Sequence, residues 1–547
     1  MNTQSMDAAL YLSMIDAGAL NLRAHAKEIN DLNVFPIPDG DTGDNMLMTI
    51  SGALSADIAD DLGSAATQVG KLMLLSARGN SGVILSQFFD GIATGLEGVR
   101  TADTKIFSTA LVKGVSQAYS SVMTPTEGTI LTVARVAAEY VASNNYNSFE
   151  DLLDAFIARA SETLEHTPEL LPVLKKAGVV DSGGAGLIRI FEGMRACLDG
   201  GLASCADQGS VDSGRQAIDI SKFDEDSILE HGYCTEVLLR PQNAKVDINA
   251  LDISTFTDYL GSIGNSVVAF KNGSIVRIHV HTFTPDKVLS FCRIYGEFLT
   301  VKIENMSLQH NSLEHTHAEV ADSDAEQKKF GTVVVAPGSG IEEMFKELGA
   351  DVVVRGGQSM NPSASELKDA YERASADTVF VFPNNSNVIM TAKQAASLCP
   401  DIDIRVVETK NIGQGHAALA MLSPETDDPD KIYADLCRAI ENVTTAAIST
   451  CSRDTSADGL SLYKGEYIGF IGDKILSADN DVCDTARGLI DKIDLSECEI
   501  FIIICGKGTD PKETEAIKEY VGASHPFCEI YTVDGRQEIY KYIFIAE

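Results

Sequence analysis

Residues 1–200 carry apolar side chains at three- and four-residue spacing, which is the period of an α-helix. Short glycine-rich pieces interrupt this pattern. The pattern therefore predicts a helical bundle with several glycine loops near one end. The clearest helical stretches are AATQVGKLMLLSARGNSGVILSQFFDGIATGL (65–96) and ILTVARVAAEYVASNN (130–145), and the glycine-rich pieces are ARGNSGV (77–83), TEGTI (126–130) and VVDSGGAGL (179–187).

The period changes in residues 228–311, where alternating apolar stretches predict strands. The expected order is strand, helix, strand, strand, helix, strand, with a hairpin around Asn272-Gly273 and Pro285 at the start of the second helix. This order is typical of a ferredoxin-like α+β domain. The segments are GYCTEVLLR (232–240), DISTFTDYLGSIG (252–264), SVVAFKNGSIVRIHVHT (266–282), TPDKVLSFCRIYG (284–296) and EFLTVKIENM (297–306).

Residues 330–547 alternate apolar strands with helical stretches, which predicts an α/β domain with a largely parallel sheet. The predicted strands include FGTVVVAP (330–337), ADVVVRGG (350–357), DTVFVFPN (377–384), IDIRVVET (402–409) and CEIFIIICGKG (498–508). Two polar stretches, 202–227 and 312–331, separate the three patterns. We therefore expect three domains, at 1–205, 228–311 and 330–547.

The net charge of the chain limits the classes of partner that it is expected to bind. The chain has 547 residues, with 43 Lys and Arg against 79 Asp and Glu, for a formal net charge of -36. Such a surface repels nucleic acid and anionic lipid, so proteins, metal ions or small ligands are the expected partners. No signal peptide and no apolar run near the roughly 20 residues of a membrane span is visible. The sequence predicts a cytoplasmic protein.

A cluster of charge lies in PDGDTGD (38–44), where Asp39, Asp41 and Asp44 alternate with flexible Gly40 and Gly43. Carboxylate oxygens are ligands that Mg²⁺ prefers, and alternate residues of an extended turn can converge on one ion or two neighbouring ions. A solvated Asx turn is the alternative.

The ARGNSGVIL stretch (77–85) presents the backbone amides of Gly79, Asn80, Ser81 and Gly82 just before a helix. Such amides favour phosphate, and Arg78 would add a positive charge. A plain turn between helices is the alternative for each glycine loop alone. Three such loops together with the aspartate turn are a stronger indication of a phosphate and cation site than any one of them alone.

In the middle region, His279 and His281 alternate along a predicted strand, and Cys234 lies in another. One thiolate and two imidazoles suit Zn²⁺ with a fourth position open. The alternative is a pair of partly buried histidines on a sheet face.

Four segments of the helical region resemble the nucleotide-binding domain of the dihydroxyacetone kinase family, and most closely its fatty acid kinase branch. The likeness continues through the middle and C-terminal regions, so it covers nearly the whole chain. The segments are LNVFPIPDGDTGDNM (32–46), ARGNSGVILSQFFDG (77–91), TPTEGTILTVARVAA (124–138) and AGVVDSGGAGL (177–187), followed by HGYCTEVLLR, VRIHVHT, GGQSMNPSASEL, PNNSNVIM and IYKYIFIAE.

The resemblance implies an eight-helix antiparallel barrel that binds ATP and two Mg²⁺ ions. Asp39 and Asp41 would be catalytic and would ligate the metals, with Asn33 completing the cluster. Position 44, usually Thr in the family, is Asp here, and Asp44 would either join the metal cluster or disturb a phosphate contact. The residues implied at the nucleotide are Thr42, Asn45, Arg78, Gly79, Asn80, Ser81 and Gly82 at the phosphates and Thr129, Asp181 and Gly183 nearer the nucleoside.

The implied reaction is phosphorylation of a fatty acid carboxylate, presented by a separate DegV-type fatty-acid-binding carrier, to give an acyl phosphate. The middle domain, whose Cys234, His279 and His281 positions can hold zinc in the family, and the C-terminal domain would serve homodimerisation and carrier docking. Two alternatives stay open: a dihydroxyacetone-type small-molecule kinase and a non-catalytic nucleotide-binding scaffold.

Overall fold

The computed structural model describes residues 3–33, 40–56, 59, 61–199, 233–242, 245–246, 251, 254–272, 275–305, 328–357, 361–422, 428–441, 443–451, 454–496 and 498–547. The chain forms two compact units. One combines Met1–Gln208 with Gln327–Glu547, and the other spans Gly209–Glu326. The N-terminal and C-terminal regions therefore pack together, although the middle region separates them in the sequence.

The N-terminal region is helical, as its apolar spacing predicts. Asp7, Asp61, Asp103, Ser148 and Asp181 each accept a hydrogen bond from a backbone N–H at the start of a helix. Each cap typically stabilises its helix by about 1 kcal/mol. The helices are α1 Ala8–Leu32, α2 Thr42–Gly52, α3 Leu62–Ser76, α4 Gly79–Gly95, α5 Thr104–Ser120, α6 Ile130–Ser143, α7 Phe149–Glu165, α8 Thr167–Leu170, α9 Pro172–Ala177 and α10 Ser182–Leu198, with a short 3₁₀ helix at Ala53–Ser55.

The apolar faces of these helices meet in one core. Phe88, Phe89, Phe156 and Phe191 lie within it, and the rings of Phe156 and Phe191 stack with centroids 4.1 Å apart. Burying a Phe side chain contributes about 1.5–3 kcal/mol. This core holds the helices in place, and four of them, α2, α4, α6 and α10, begin at the candidate site.

The middle unit has the predicted order of elements. Its four strands are all antiparallel and lie in the order β2, β3, β1, β4. The hairpin is present, but its turn residue Gly273 lies outside the described residues. The elements are β1 Tyr233–Pro241, α11 Ser254–Ile263, β2 Asn265–Asn272, β3 Ile275–Thr282, α12 Pro285–Tyr295 and β4 Gly296–Asn305.

The C-terminal region contains every strand predicted for it, together with further strands. The helices are α13 Ser339–Glu347, α14 Ala364–Arg373, α15 Ser386–Ser397, α16 Ile412–Ala420, α17 Pro429–Ala439, α18 Val482–Ile490 and α19 Pro511–Ser524. The strands are β5 Lys328–Ala336, β6 Val352–Arg355, β7 Ala376–Phe382, β8 Asp403–Val406, β9 Thr444–Thr450, β10 Thr455–Ala457, β11 Leu460–Leu462, β12 Tyr467–Ile471, β13 Lys474–Asp479, β14 Ile500–Cys505, β15 Glu529–Asp534 and β16 Tyr540–Ala546.

These strands form two main sheets and a small hairpin of β10 and β11. The first sheet, in the order β6, β5, β7, β8, is entirely parallel. The second, in the order β13, β12, β9, β16, β14, β15, has one parallel pair, β14 with β15. The expectation of a largely parallel sheet is therefore correct for the first sheet and wrong for the second.

The physical reason for this difference between the two sheets is the length of the connections between their strands. Only two residues separate β12 from β13, and Gly472 between them has φ +56°, so the chain reverses directly into an antiparallel neighbour. A parallel neighbour needs a crossover, which α19 supplies between β14 and β15.

The carboxyl edge of the parallel sheet faces the helical region. The segments that follow β6 and β7 lead into α14 and α15, and the Ala364 N–H at the start of α14 donates to the Ala77 carbonyl at 3.1 Å. Loops at this edge of a parallel sheet commonly carry functional residues. Among the described residues, no helix combines the length and apolarity that a bilayer crossing requires.

Candidate active site

A pocket of about 220 Å³ lies where α2, α4, α6 and α10 begin. The first backbone N–H groups of a helix have no partner within the helix and carry partial positive charge. Four helix starts at one pocket therefore favour a ligand rich in phosphate oxygens. The described lining residues are Asn33, Asp41, Thr42, Asn45, Asn80, Ser81, Ile84, Thr129, Ile130, Asp181, Ser182, Gly183 and Asn387.

The aspartate turn enters the pocket through Asp41. Gly40 has φ +43°, a left-handed conformation that glycine adopts at little cost, and Asp41 follows it directly before α2. The Asp41 carbonyl accepts the Asn45 N–H at 2.8 Å, while its carboxylate is buried, with the residue only 6% exposed. Asp39 lies outside the described residues, so its role stays a prediction.

The Asp41 carboxylate has a partner from the C-terminal region. Asn361 Nδ2 donates to Asp41 Oδ2 at 2.6 Å, and Asn361 is 1% exposed. A buried carboxylate needs such a donor, because an unpaired charge away from water is costly.

Arg78 joins the same contact between the two regions. Its Nη1 donates to the Asn361 carbonyl at 2.6 Å and lies 3.1 Å from Glu366 Oε2. The guanidinium group is thus directed at the C-terminal region, and its predicted contact with phosphate stays a prediction.

The predicted glycine loop at residues 79–82 is the first turn of α4, and this turn packs closely against α2. Gly79 has φ +58°, and a Cβ at this position would lie 2.5 Å from Asn45 Nδ2. At Gly82 a Cβ would lie 2.3 Å from Thr49 Oγ1. Glycine at both positions lets the start of α4 approach α2, which brings Asn45 beside Asn80 and Ser81 in the pocket lining.

Asn80 forms a second contact with the C-terminal region. Its Nδ2 donates to Asn387 Oδ1 at 3.2 Å, and the Asn387 N–H donates to Asn385 Oδ1 at 2.9 Å. Asn387 lies in the first turn of α15 and lines the pocket. Two loops at the edge of the parallel sheet therefore reach the site.

The opposite side of the pocket consists of Thr129, Asp181 and Gly183. Asp181 caps α10, with its Oδ2 accepting the Gly184 N–H at 2.6 Å. Burial raises the pKa of the Asp181 carboxyl to about 6, although hydrogen bonds from the Gly184 and Ile130 N–H groups lower it in part.

Asp44 is placed differently from Asp41. It is exposed at the start of α2, is not among the described lining residues, and its Oδ2 accepts a hydrogen bond from Asn30 Nδ2 at 2.8 Å. Asn33 lines the pocket. The metal roles of both residues stay predictions.

The donor set of the pocket fits Mg²⁺. The described lining residues supply two carboxylates, those of Asp41 and Asp181, with amide and hydroxyl oxygens and no Lys or Arg. Mg²⁺ prefers such oxygens and completes its shell with water and phosphate. Within the described part of the chain, no three His, Cys, Asp or Glu side chains form a metal centre by themselves. Asp39 is outside that part.

The predicted zinc residues lie in the other unit. The register of β1 and β3 pairs Cys234 with His281 and Glu236 with His279. The side chains of Cys234, His279 and His281 lie outside the described part of the structure, so zinc binding stays a prediction.

Sequence reasoning assigned no role to Asn361 and Asn387. Both occur in asparagine-containing segments, GGQSMNPSASEL and PNNSNVIM, each directly after a predicted strand of the same parallel sheet. Because carboxyl ends of parallel strands share one edge, this placement was the signal that both could reach a common site.

Three family models match the chain in order. The DAK2 domain matches residues 36–196, and the FakA-like middle and C-terminal domains of fatty acid kinase match residues 230–313 and 331–547.

Relatives align along the whole length. Protein YloV of Bacillus subtilis is 37% identical, with 100% of each chain covered. An uncharacterized protein of Staphylococcus aureus strain USA300 is 34% identical, with 99% of each covered. The crystal structure of the dihydroxyacetone kinase from C. freundii with AMP-PNP and Mg²⁺ is 21% identical, with 36% of this chain and 35% of that chain covered, at a TM-score of 0.29. A TM-score this low carries no argument about fold or function.

Proposed function

Because the chain belongs to the FakA-like fatty acid kinase family, whose domains indicate a kinase-type nucleotide-binding protein, we propose that it transfers the γ-phosphoryl group of ATP to the carboxylate of a fatty acid. A separate DegV-type fatty-acid-binding protein would present the fatty acid, and the product would be an acyl phosphate.

The observation that carries this proposal is the convergence of the buried Asp41 carboxylate with four helix starts at one pocket. Backbone N–H groups at the starts of α2 and α4 would hold the phosphate oxygens, with Thr42, Asn45, Asn80 and Ser81 beside them. These groups are fixed before the reaction, and phosphoryl transfer depends mainly on positioning and charge stabilisation.

Asp39 and Asp41, with Asn33 nearby, would hold Mg²⁺, which when bound neutralises charge between the triphosphate and the incoming carboxylate. Asp41 is suited to this role because the Asn361 amide restricts its orientation. Asp181 would lie nearer the nucleoside with Thr129 and Gly183.

The acceptor chemistry agrees with the lining residues. A fatty acid carboxylate has a pKa of about 4 to 5 and is ionised at neutral pH, so phosphoryl transfer to it needs no general base. A hydroxyl acceptor would need one. The described lining contains no His, Lys or Cys, and the Asp181 carboxylate already accepts hydrogen bonds that cap α10. An acceptor that arrives already ionised therefore fits this pocket best.

Finer features of the family resemblance remain part of the proposal. They are the eight-helix antiparallel barrel for the N-terminal region, the ferredoxin-like fold for the middle region, homodimerisation, and docking of the carrier on the C-terminal region. The sheet order of the middle unit supports the second of these.

The test is to trap the product. The purified chain is incubated with ATP, Mg²⁺ and a DegV-type carrier loaded with fatty acid, and hydroxylamine is added to convert acyl phosphate into acyl hydroxamate. We expect hydroxamate only when ATP, Mg²⁺ and carrier are all present. Phosphorylation of free dihydroxyacetone, or no product with any loaded carrier, would overturn the proposal.

A further inference from the structure

Asn361 of the C-terminal region lies behind the described lining residues of the pocket and contacts one of them, Asp41. Its side-chain Nδ2 donates to Asp41 Oδ2 at 2.6 Å, and its backbone carbonyl accepts from Arg78 Nη1, also at 2.6 Å. An ionised carboxylate only accepts hydrogen bonds, so the amide nitrogen must face Asp41. This assigns the direction of the amide group.

The other end of the same amide has no partner. Asn361 Oδ1 is buried and makes no hydrogen bond. Leaving a buried carbonyl oxygen unsatisfied costs about 1–3 kcal/mol, and such atoms are uncommon in folded proteins. A simple contact between two regions would not require an amide with one unsatisfied end. A donor with no acceptor atom of its own would pair with Asp41 without leaving an unsatisfied oxygen.

We propose that Asn361 is a positioning residue for Asp41. Its Nδ2 orients the carboxylate toward bound Mg²⁺, and its Oδ1 accepts a hydrogen bond from a water molecule in the coordination shell of that ion. The C-terminal α/β region thereby completes the metal site of the helical region. This inference rests on the proposed kinase function, which supplies the Mg²⁺-nucleotide complex.

The chemistry of the free oxygen supports the assignment. An amide oxygen accepts hydrogen bonds, so the missing partner of Oδ1 has to be a donor, and water bound to Mg²⁺ is such a donor. Residues that hold metal ligands from outside the coordination shell commonly contribute tenfold to a hundredfold to metal affinity. Asn361 has the contacts of such a residue.

A second amide pair across the same contact provides a matched control. Gln87 Nε2 donates to Gln394 Oε1 at 2.6 Å, and Gln87 Oε1 accepts from Gln117 Nε2 at 2.9 Å. This pair also joins the helical and C-terminal regions, but its hydrogen bonds reach neither Asp41 nor any other described lining residue of the pocket. Removing it tests docking of the two regions without touching the site.

The experiment compares Asn361→Leu with Gln394→Leu in the full chain. Binding of AMP-PNP is measured by calorimetry over a series of Mg²⁺ concentrations, and thermal unfolding is followed without ligand. We expect Asn361→Leu to raise the Mg²⁺ concentration required for half-maximal AMP-PNP binding by about tenfold or more. Gln394→Leu should stay within about twofold of wild type, even where both variants unfold at lower temperature.

An equal rise in the required Mg²⁺ concentration in both variants, or a wild-type value in Asn361→Leu, would overturn the assignment. Asn361→Ala, which adds no bulk, replaces the leucine variant if that one does not fold, and the same outcomes decide. A wild-type chain that binds no AMP-PNP at any Mg²⁺ concentration would refute the proposed function itself, which separates the two failures.

Discussion

The two sides of the candidate site are held in place by different kinds of contact. On the first side, Asp41 and Asn80 bond to Asn361 and Asn387, which are 320 and 307 positions away in the chain. On the second side, Asp181 caps its own helix by bonding to Gly184, three residues on, and also accepts a hydrogen bond from the Ile130 N–H. One side depends on the docking of two regions, and the other on contacts within the helical region alone.

This difference separates two functions of the site. The long-range side holds the carboxylate that we assign to the metal. This carboxylate is held in one position only when both regions are folded and docked. The local side forms within the helical region, where Asp181 caps α10 and also accepts the Ile130 N–H at the start of α6. We therefore expect substitutions on the first side to affect transfer most, and those on the second side to affect mainly helix stability.

The largest effect is expected from Asp41→Asn compared with Asp181→Asn. Asparagine at 41 can still accept the Asn361 hydrogen bond, so the packing is kept while the negative charge is lost. We expect acyl hydroxamate formation to fall by about 10²–10³-fold, as for other groups that stabilise charge in a transition state. Asp181→Asn should lose less than about tenfold in the same assay.

Comparable losses in both variants would contradict this division of the site into a metal side and a capping side. Far-UV circular dichroism on each variant provides the control, since both substitutions preserve side-chain size and should leave the helical signal unchanged.

An intermediate effect is expected at Gly79. Its φ of +58° is unfavourable for alanine, and an added Cβ would lie 2.5 Å from Asn45 Nδ2. Gly98 offers a matched comparison, because it has φ +70° with nothing within 4 Å of an added Cβ. We expect Gly98→Ala to lower the free energy of unfolding by roughly 1 kcal/mol, from backbone strain alone.

Gly79→Ala should lower the free energy of unfolding by about 2–3 kcal/mol, because the Asn45 contact adds to the strain. It should also weaken nucleotide binding, whereas Gly98→Ala should not. Chemical denaturation and titration with a fluorescent ATP analogue measure the two effects. Equal values for both variants would show that the approach of α4 to α2 is unimportant for the site.

The smallest effect concerns the pH dependence of the local side. Burial raises the pKa of Asp181 to about 6, whereas an aspartate in an unfolded chain titrates near 4. The folded state therefore holds this proton more tightly, and the charged form of Asp181 lowers stability as pH rises through that interval. Asn at 181 keeps a capping oxygen without titrating.

The stability of Asp181→Asn relative to wild type should therefore increase by on the order of 1–2 kcal/mol between about pH 4 and pH 7, in the absence of ligand. Urea unfolding at a series of pH values measures the difference. A difference that does not change with pH would show that the Asp181 carboxyl titrates as an ordinary exposed group.

The sequence by itself determined the class of each region and the starts of many elements. Apolar spacing and cap residues act over a few positions, so the helices of residues 1–200, the order of elements in the middle unit and the strands from FGTVVVAP to CEIFIIICGKG could be predicted. The glycine loops and the aspartate turn also indicated a phosphate and cation site, because three such loops and an aspartate cluster occur together in one helical region.

The tertiary structure alone decided which partners complete that site. Asn361 and Asn387 reach it because the edge of a parallel sheet docks on the starts of α2 and α4, and Arg78 is drawn to Glu366 by the same docking. It also decided that β9, β12, β13, β14, β15 and β16 form a second, mostly antiparallel sheet. Contacts between residues hundreds of positions apart depend on how whole surfaces fit together, and no local pattern of side chains encodes that fit.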